Sequence, residues 1–190
     1  YYVMEYFDGR PITHFCDSNQ LNIRQRLEIF LDVCHAISHA HECGLIHRDI
    51  KPANILVVPM GDHFVPKVID FGLAKFKSSL SSNRKNLTKL GMILGTLEYM
   101  SPEQAAGRRA LLDQRSDVYS LGATFYEFLT LNPIFQGRDV QYLLNQILHT
   151  EPRPLRQIDK TIPLEIETII LKAVSKNPDD RYRSAGALAA

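Results

Sequence analysis

The sequence predicts an α+β domain, mostly helical, with one short β-hairpin. Three observations carry this. Two brief runs of β-formers, residues 55–58 and 66–69, lie close together around a turn at Gly61-Asp62. Residues 118–129 are apolar on nearly every face, as a helix buried in a domain centre would be. One-sided apolar patterns of helical period precede and follow that segment. At 190 residues the chain can form one domain with a real core, and no internal repeat or second domain is read from it.

Taken in order, residues 1–7 are rich in β-formers and read as a buried strand ending at the turn signal Asp8-Gly9. From Leu21, the residues Ile23, Leu27, Phe30, Leu31, Cys34, Ile37 and His41 recur at helical spacing, and Gly44 supplies a stop. The hairpin follows, and then a polar, basic, serine-rich stretch over 75–91. After the buried helix, Val140, Leu143, Leu144, Ile147 and Leu148 form one amphipathic face. Ile166, Ile169, Ile170, Ala173 and Val174 form another.

The chemistry concentrates at the hairpin. Residues 47–56 read His-Arg-Asp-Ile-Lys-Pro-Ala-Asn-Ile-Leu, and beyond the hairpin stands Ile69-Asp70-Phe71-Gly72. This places two carboxylates, a lysine and an amide on loops at the two ends of one short hairpin. Such a set can deprotonate a hydroxyl and hold magnesium against a polyphosphate. A lone loop Asp is usually a turn former; two motifs in this order are not explained that way.

Bulk properties exclude other classes. A formal charge of +1 gives no reason to expect nucleic-acid binding or an electrostatic membrane anchor. No apolar stretch approaches the ~20 residues a membrane span needs, and Glu127 interrupts the longest candidate. Cys16, Cys34 and Cys43 lack metal-ligand spacing and read as free buried thiols in a reducing, cytoplasmic setting. His35 and His39 are four apart on a predicted helix but have no third ligand nearby, so they read as an ordinary helix face.

These segments, together with Ile12-Thr13-His14-Phe15-Cys16-Asp17, Tyr99-Met100-Ser101-Pro102-Glu103-Gln104 and Ser116-Asp117-Val118-Tyr119-Ser120-Leu121-Gly122, resemble the C-terminal lobe of a eukaryotic-type protein kinase. The wording is closest to bacterial Ser/Thr kinases. The resemblance covers essentially the whole chain and implies a protein-kinase-like fold without its N-terminal lobe. It divides the chain into a hinge at 1–9, a catalytic loop at 47–56, an activation segment at 70–103 and a helical lobe at 116–190.

By this resemblance Asp49 is the catalytic base and Lys51 neutralises charge on the γ-phosphate of ATP. Asn54 and Asp70 hold Mg2+. Thr96 hydrogen-bonds Asp49 and Lys51, a feature of Ser/Thr kinases. The backbone at Glu5 and Phe7 meets adenine, with Met4 guarding the inner pocket and Leu56 forming part of its floor. His47 and Phe71 pack into the spine between lobes, and Arg48 is placed to bind a phosphorylated loop residue. Asp117 braces the backbone at His47-Arg48, and Glu103 pairs with Arg181. Thr88, in a stretch whose charged residues are all basic, is the favoured regulatory phosphosite. Ala53 stands where some arginine-directed kinases carry Glu.

The implied partners are protein substrates bearing Ser or Thr, and a missing N-terminal kinase lobe. Nucleic acid is not expected, and membrane attachment is expected only through segments outside this chain. No Gly-x-Gly-x-x-Gly and no Val-Ala-Ile-Lys-like segment occurs. The chain therefore reads as a piece of a longer kinase, catalytically silent alone. A pseudokinase acting as a binding or scaffold module is the alternative, disfavoured by the intact Asp49, Lys51, Asn54 and Asp70.

Overall fold

A computed structural model of the chain describes residues 6–61, 63–71, 97–108, 112–137 and 139–190. Its elements are β1 (Arg10–Pro11), α1 (Ile12–Ser18), α2 (Ile23–Glu42), β2 (Ile55–Met60), β3 (His63–Val68), α3 (Pro102–Ala105), α4 (Gln114–Thr130), α5 (Val140–His149), α6 (Leu164–Ala173) and α7 (Ala185–Ala189). The result is a mostly helical domain carrying a small antiparallel sheet of order β1-β2-β3.

The hairpin forms as expected but is longer, with Ile55 opposite Val68 and Met60 opposite His63. Pro59 and Pro66 break the run of β-formers, so the sequence suggests shorter strands. Both are tolerated because β3 is an edge strand and β1 covers only Leu56 and Val57 of β2. Gly9 lets the incoming chain approach this sheet, since a Cβ there would lie 3.0 Å from Leu56 Cβ. The expected strand over 1–7 is not seen in its described part: Tyr6 and Phe7 are irregular, and Tyr6 is 85% exposed. The Phe7 ring instead meets the Lys67 ammonium at 5.2 Å.

Helix α2 begins where a reciprocal cap dictates. The Gln25 N–H donates to Asn22 Oδ1, and the Asn22 N–H donates back to Gln25 Oε1, each at 3.0 Å. It ends before Gly44, whose φ of +74° suits glycine. Its buried face is Ile29, Phe30, Val33, Cys34, Ile37 and Ala40. Leu31 falls outside that face. Cys43, expected buried, is exposed at the helix end, while Cys16 and Cys34 are buried. Burial pushes the Cys34 thiol up to about 12 and the Cys16 thiol up to about 11.

Helix α4 is the axis of the domain. It starts earlier than its apolar run because Asp113 caps it, accepting from the Arg115 N–H at 2.8 Å. Tyr119, Leu121, Tyr126 and Phe128 are fully buried along it. Phe125 stacks on Phe30 of α2 at 4.0 Å between ring centroids. On another side Gly122 lets α6 close in, since a Cβ there would stand 2.8 Å from both Ala173 and Val174. No helix among the described residues is long and apolar enough to cross a membrane.

Candidate active site

The sheet and α4 together fix the loop at 47–54. Asp117, fully buried on α4, receives the His47 N–H on Oδ2 and the Arg48 N–H on Oδ1, each at 2.8 Å. Oδ2 also lies 2.8 Å from His41 Nε2, from the last turn of α2. A carboxylate taking two backbone donors acts as acceptor, so the His41 ring must donate through Nε2. Arg48 is held at φ +67°, a left-handed conformation costly for a non-glycine residue. Its carbonyl accepts from Gln104 Nε2 at 3.0 Å. The loop is thus tied to α2, α3 and α4 at once.

On this frame the polar groups converge. Asp49 Oδ2 accepts from Lys51 Nζ at 3.0 Å and from Asn54 Nδ2 at 3.3 Å. Asn54 Nδ2 also donates to the Asp49 carbonyl at 2.8 Å. With its NH2 committed to Asp49, the Asn54 amide presents its oxygen on the other side, as a hard-cation ligand must. The Ile69 N–H donates to the Asn54 carbonyl at 2.9 Å, which brings the end of β3 beside the loop. Asp70 follows in a left-handed conformation, φ +65°. His47 is buried, bonded through Nε2 to the Ile69 carbonyl at 2.9 Å, and its ring lies 4.6 Å from that of Phe71. Its side chain is taken up by these packing and hydrogen-bond contacts.

Among the described residues no group of three or more His, Cys, Asp or Glu could hold a metal ion. One carboxylate and one amide suit magnesium nonetheless, because that ion keeps several waters and takes further oxygens from phosphates. Leu56 lies on β2, half-buried beside Gly9. Met4, Glu5, Thr88 and Thr96 lie outside the described residues.

Below the loop, Glu103 and Arg181 form a buried bidentate pair, at 2.9 and 2.8 Å. Arg181 also donates to the carbonyls of Ser175, Arg115 and Lys176, and Ser116 Oγ donates to Glu103 at 2.7 Å. Burial pushes the Glu103 carboxyl up, but the Arg181 guanidinium and the Ser116 hydroxyl outweigh it and hold it below its usual range. Nearby, Tyr99 donates to the Glu127 carboxylate. Burial, and secondarily Glu127, push Glu98 up to about 7.

Two positioning residues escape sequence reasoning. His41 sits at apolar spacing in α2 and reads there as one more core position. Gln104 lies in the quoted 99–104 segment, but nothing local marks it as a partner of Arg48.

The chain belongs to the protein kinase family, matching its Protein kinase domain model over residues 1–189. It is 39% identical to serine/threonine-protein kinase PknB of Mycolicibacterium smegmatis, covering all of this chain and 29% of that protein. It is 38% identical to the probable serine/threonine-protein kinase SCO3848 of Streptomyces coelicolor, covering 97% of this chain and 26% of that protein. Among solved structures, a crystal structure of Rad53 1-466 in complex with AMP-PNP superposes with a TM-score of 0.75 and 26% identity. It covers 98% of this chain and 44% of that one. The chain therefore spans under a third of the length of the bacterial relatives and under half of the Rad53 chain.

Proposed function

We propose that the protein of which this chain forms the catalytic-loop-bearing part transfers the γ-phosphate of ATP to Ser or Thr hydroxyls of proteins. The observation that carries this reading is the Asp49, Lys51 and Asn54 cluster, braced from a buried helix by Asp117. Lys51 and Asn54 both bond Asp49 Oδ2, so we assign Oδ1 to the substrate hydroxyl. Asp49 then orients the nucleophile and receives its proton late in the transfer. Lys51, placed beside that carboxylate, offsets charge developing on the transferred phosphoryl group. Asn54 and Asp70 are the residues that would hold magnesium, whose chemistry is neutralisation of the phosphate oxygens. Thr96 is assigned the restraint of Asp49 and Lys51, and Glu5, Phe7 and Leu56 the adenine contacts. Thr88 is assigned the regulatory phosphate, with Arg48 as its receiver.

The test is transfer of labelled phosphate from Mg-ATP by the full parent protein, to itself and to a generic Ser/Thr substrate. Asp49→Asn keeps the size of the side chain and the Lys51 and Asn54 neighbours but removes the base. We expect it to lower transfer by about 10²-fold or more. Undiminished transfer in that variant would overturn the assignment. The 190-residue chain by itself, with no glycine-rich loop or strand lysine, is expected to transfer none.

A further inference from the structure

The peptide group joining Arg48 to Asp49 is held at both ends. Its carbonyl accepts from Gln104 Nε2 at 3.0 Å, and its N–H donates to His47 Nδ1 at 3.3 Å. A peptide group is planar, so fixing its two ends fixes the direction in which the chain enters Asp49. The preceding peptide is fixed as well, since the Arg48 N–H donates to Asp117 Oδ1 at 2.8 Å. Arg48 keeps its left-handed φ of +67° because it is gripped from both sides.

The grip on the carbonyl depends on which way round the Gln104 amide lies. Its two ends have nearly the same shape, but one accepts and the other donates. Oε1 takes the Ser101 N–H at 3.0 Å and the Ser101 hydroxyl at 2.9 Å, which leaves the NH2 group for Arg48. The reverse orientation would set Oε1 against the Arg48 carbonyl and the NH2 against the Ser101 N–H. Ser101 is fully buried, so its two donors have no recourse to solvent. The segment that carries them is itself anchored: Ser120 Oγ donates to the Tyr99 carbonyl at 2.8 Å, and Glu103 pairs with Arg181. We propose that Ser101 is a positioning residue, which fixes the orientation of the Gln104 amide and through it the aim of Asp49. By this relay the seating of residues 99–104 on α4 sets the geometry of the base. The consequence for catalysis rests on the phosphoryl-transfer reading; the restraint on the peptide does not.

Ser101→Ala, Gln104→Met and the double variant, made in the full parent protein, test this. Amide exchange over residues 47–51, read by mass spectrometry, reports the restraint without requiring activity. We expect exchange there to quicken in Gln104→Met, and less so in Ser101→Ala, beyond what any change in urea-measured stability accounts for. In the double variant Ser101→Ala should add nothing, because no amide is left to orient. Transfer should follow the same order. We expect kcat to fall about tenfold in Gln104→Met, the equivalent of one hydrogen bond, and about threefold in Ser101→Ala, with KM for ATP unchanged. Unaltered exchange over 47–51 in Gln104→Met, or a Ser101→Ala effect of the same size with and without Gln104, would each overturn the proposal. A parent protein that transfers no phosphate would remove the transfer reading, and the exchange result would still decide the restraint.

Discussion

Asp117 is an acceptor for three donors at once, and that multiplicity sets what its replacement does. In Asp117→Asn, one oxygen becomes an NH2 group, so at least one of the His41, His47 and Arg48 donors faces another donor in a dry site. An unanswered buried donor costs about 1–3 kcal/mol. We expect a fall of that size in urea-measured stability, together with a lower kcat in the parent protein and a nearly unchanged KM for ATP. Equal loss in kcat/KM for every substrate, traced wholly to unfolded protein, would reduce Asp117 to a structural residue. Glu103 behaves differently because its partner is a buried cation. Glu103→Gln leaves Arg181 uncompensated and should cost about 3–5 kcal/mol. The folded Glu103 carboxyl lies below its ordinary value of 4.5. Its stabilisation is therefore full above that value and lost as pH falls through the lower folded value. The gap between wild type and variant should accordingly close in acid, which denaturation midpoints across pH would show.

Among the elements, the crossing of α4 and α6 depends on the absence of one Cβ. Gly122→Ala would place a methyl 2.8 Å from Ala173 and Val174, both buried. Neither neighbour is a flexible side chain, so the helices must part, at about 1–3 kcal/mol by chemical denaturation. A neutral result would mean that α6 can shift freely on α4. The long helices α2, α4, α5 and α6 were legible because each has a one-sided or all-round apolar pattern over about ten residues or more, whereas α1, α3 and α7 are too short to show one. What the pattern missed has physical causes. A two-residue strand such as β1 has no period to detect. Prolines 59 and 66 shortened the expected hairpin, since the sequence does not say which strand is the edge. Helix α4 was expected from Val118, because residues 114–117 owe their helicity to the Asp113 cap and not to apolar spacing.

At the scale of the molecule, the candidate site was legible where its residues are contiguous, as in 47–56 and 69–72, and obscure where it is assembled across the fold. His41 to Asp117 and Gln104 to Arg48 join residues 76 and 56 positions apart, and only packing of α2 and α3 around α4 brings them together. The same packing makes part of the domain's stability depend on pH. Burial and then the Glu127 charge raise Glu98 from 4.5 to about 7, so its ionisation opposes folding. A raised carboxyl contributes stability that is full below 4.5 and is lost as pH rises through about 7. Lys176, lowered by burial to about 8, acts with the opposite sign above that pH, because losing its proton relieves the buried charge. Glu103 therefore favours folding above its lowered value, and Glu98 favours it below about 7. Glu98→Gln removes the ionisation while keeping the shape. Its melting temperature should match that of wild type near pH 4.5, where Glu98 is still protonated in the fold, and exceed it above pH 7. A variant that gains nothing above pH 7 would mean that Glu98 reaches water when ionised, and that the Glu98, Tyr99 and Glu127 corner opens at no cost to the rest of the domain.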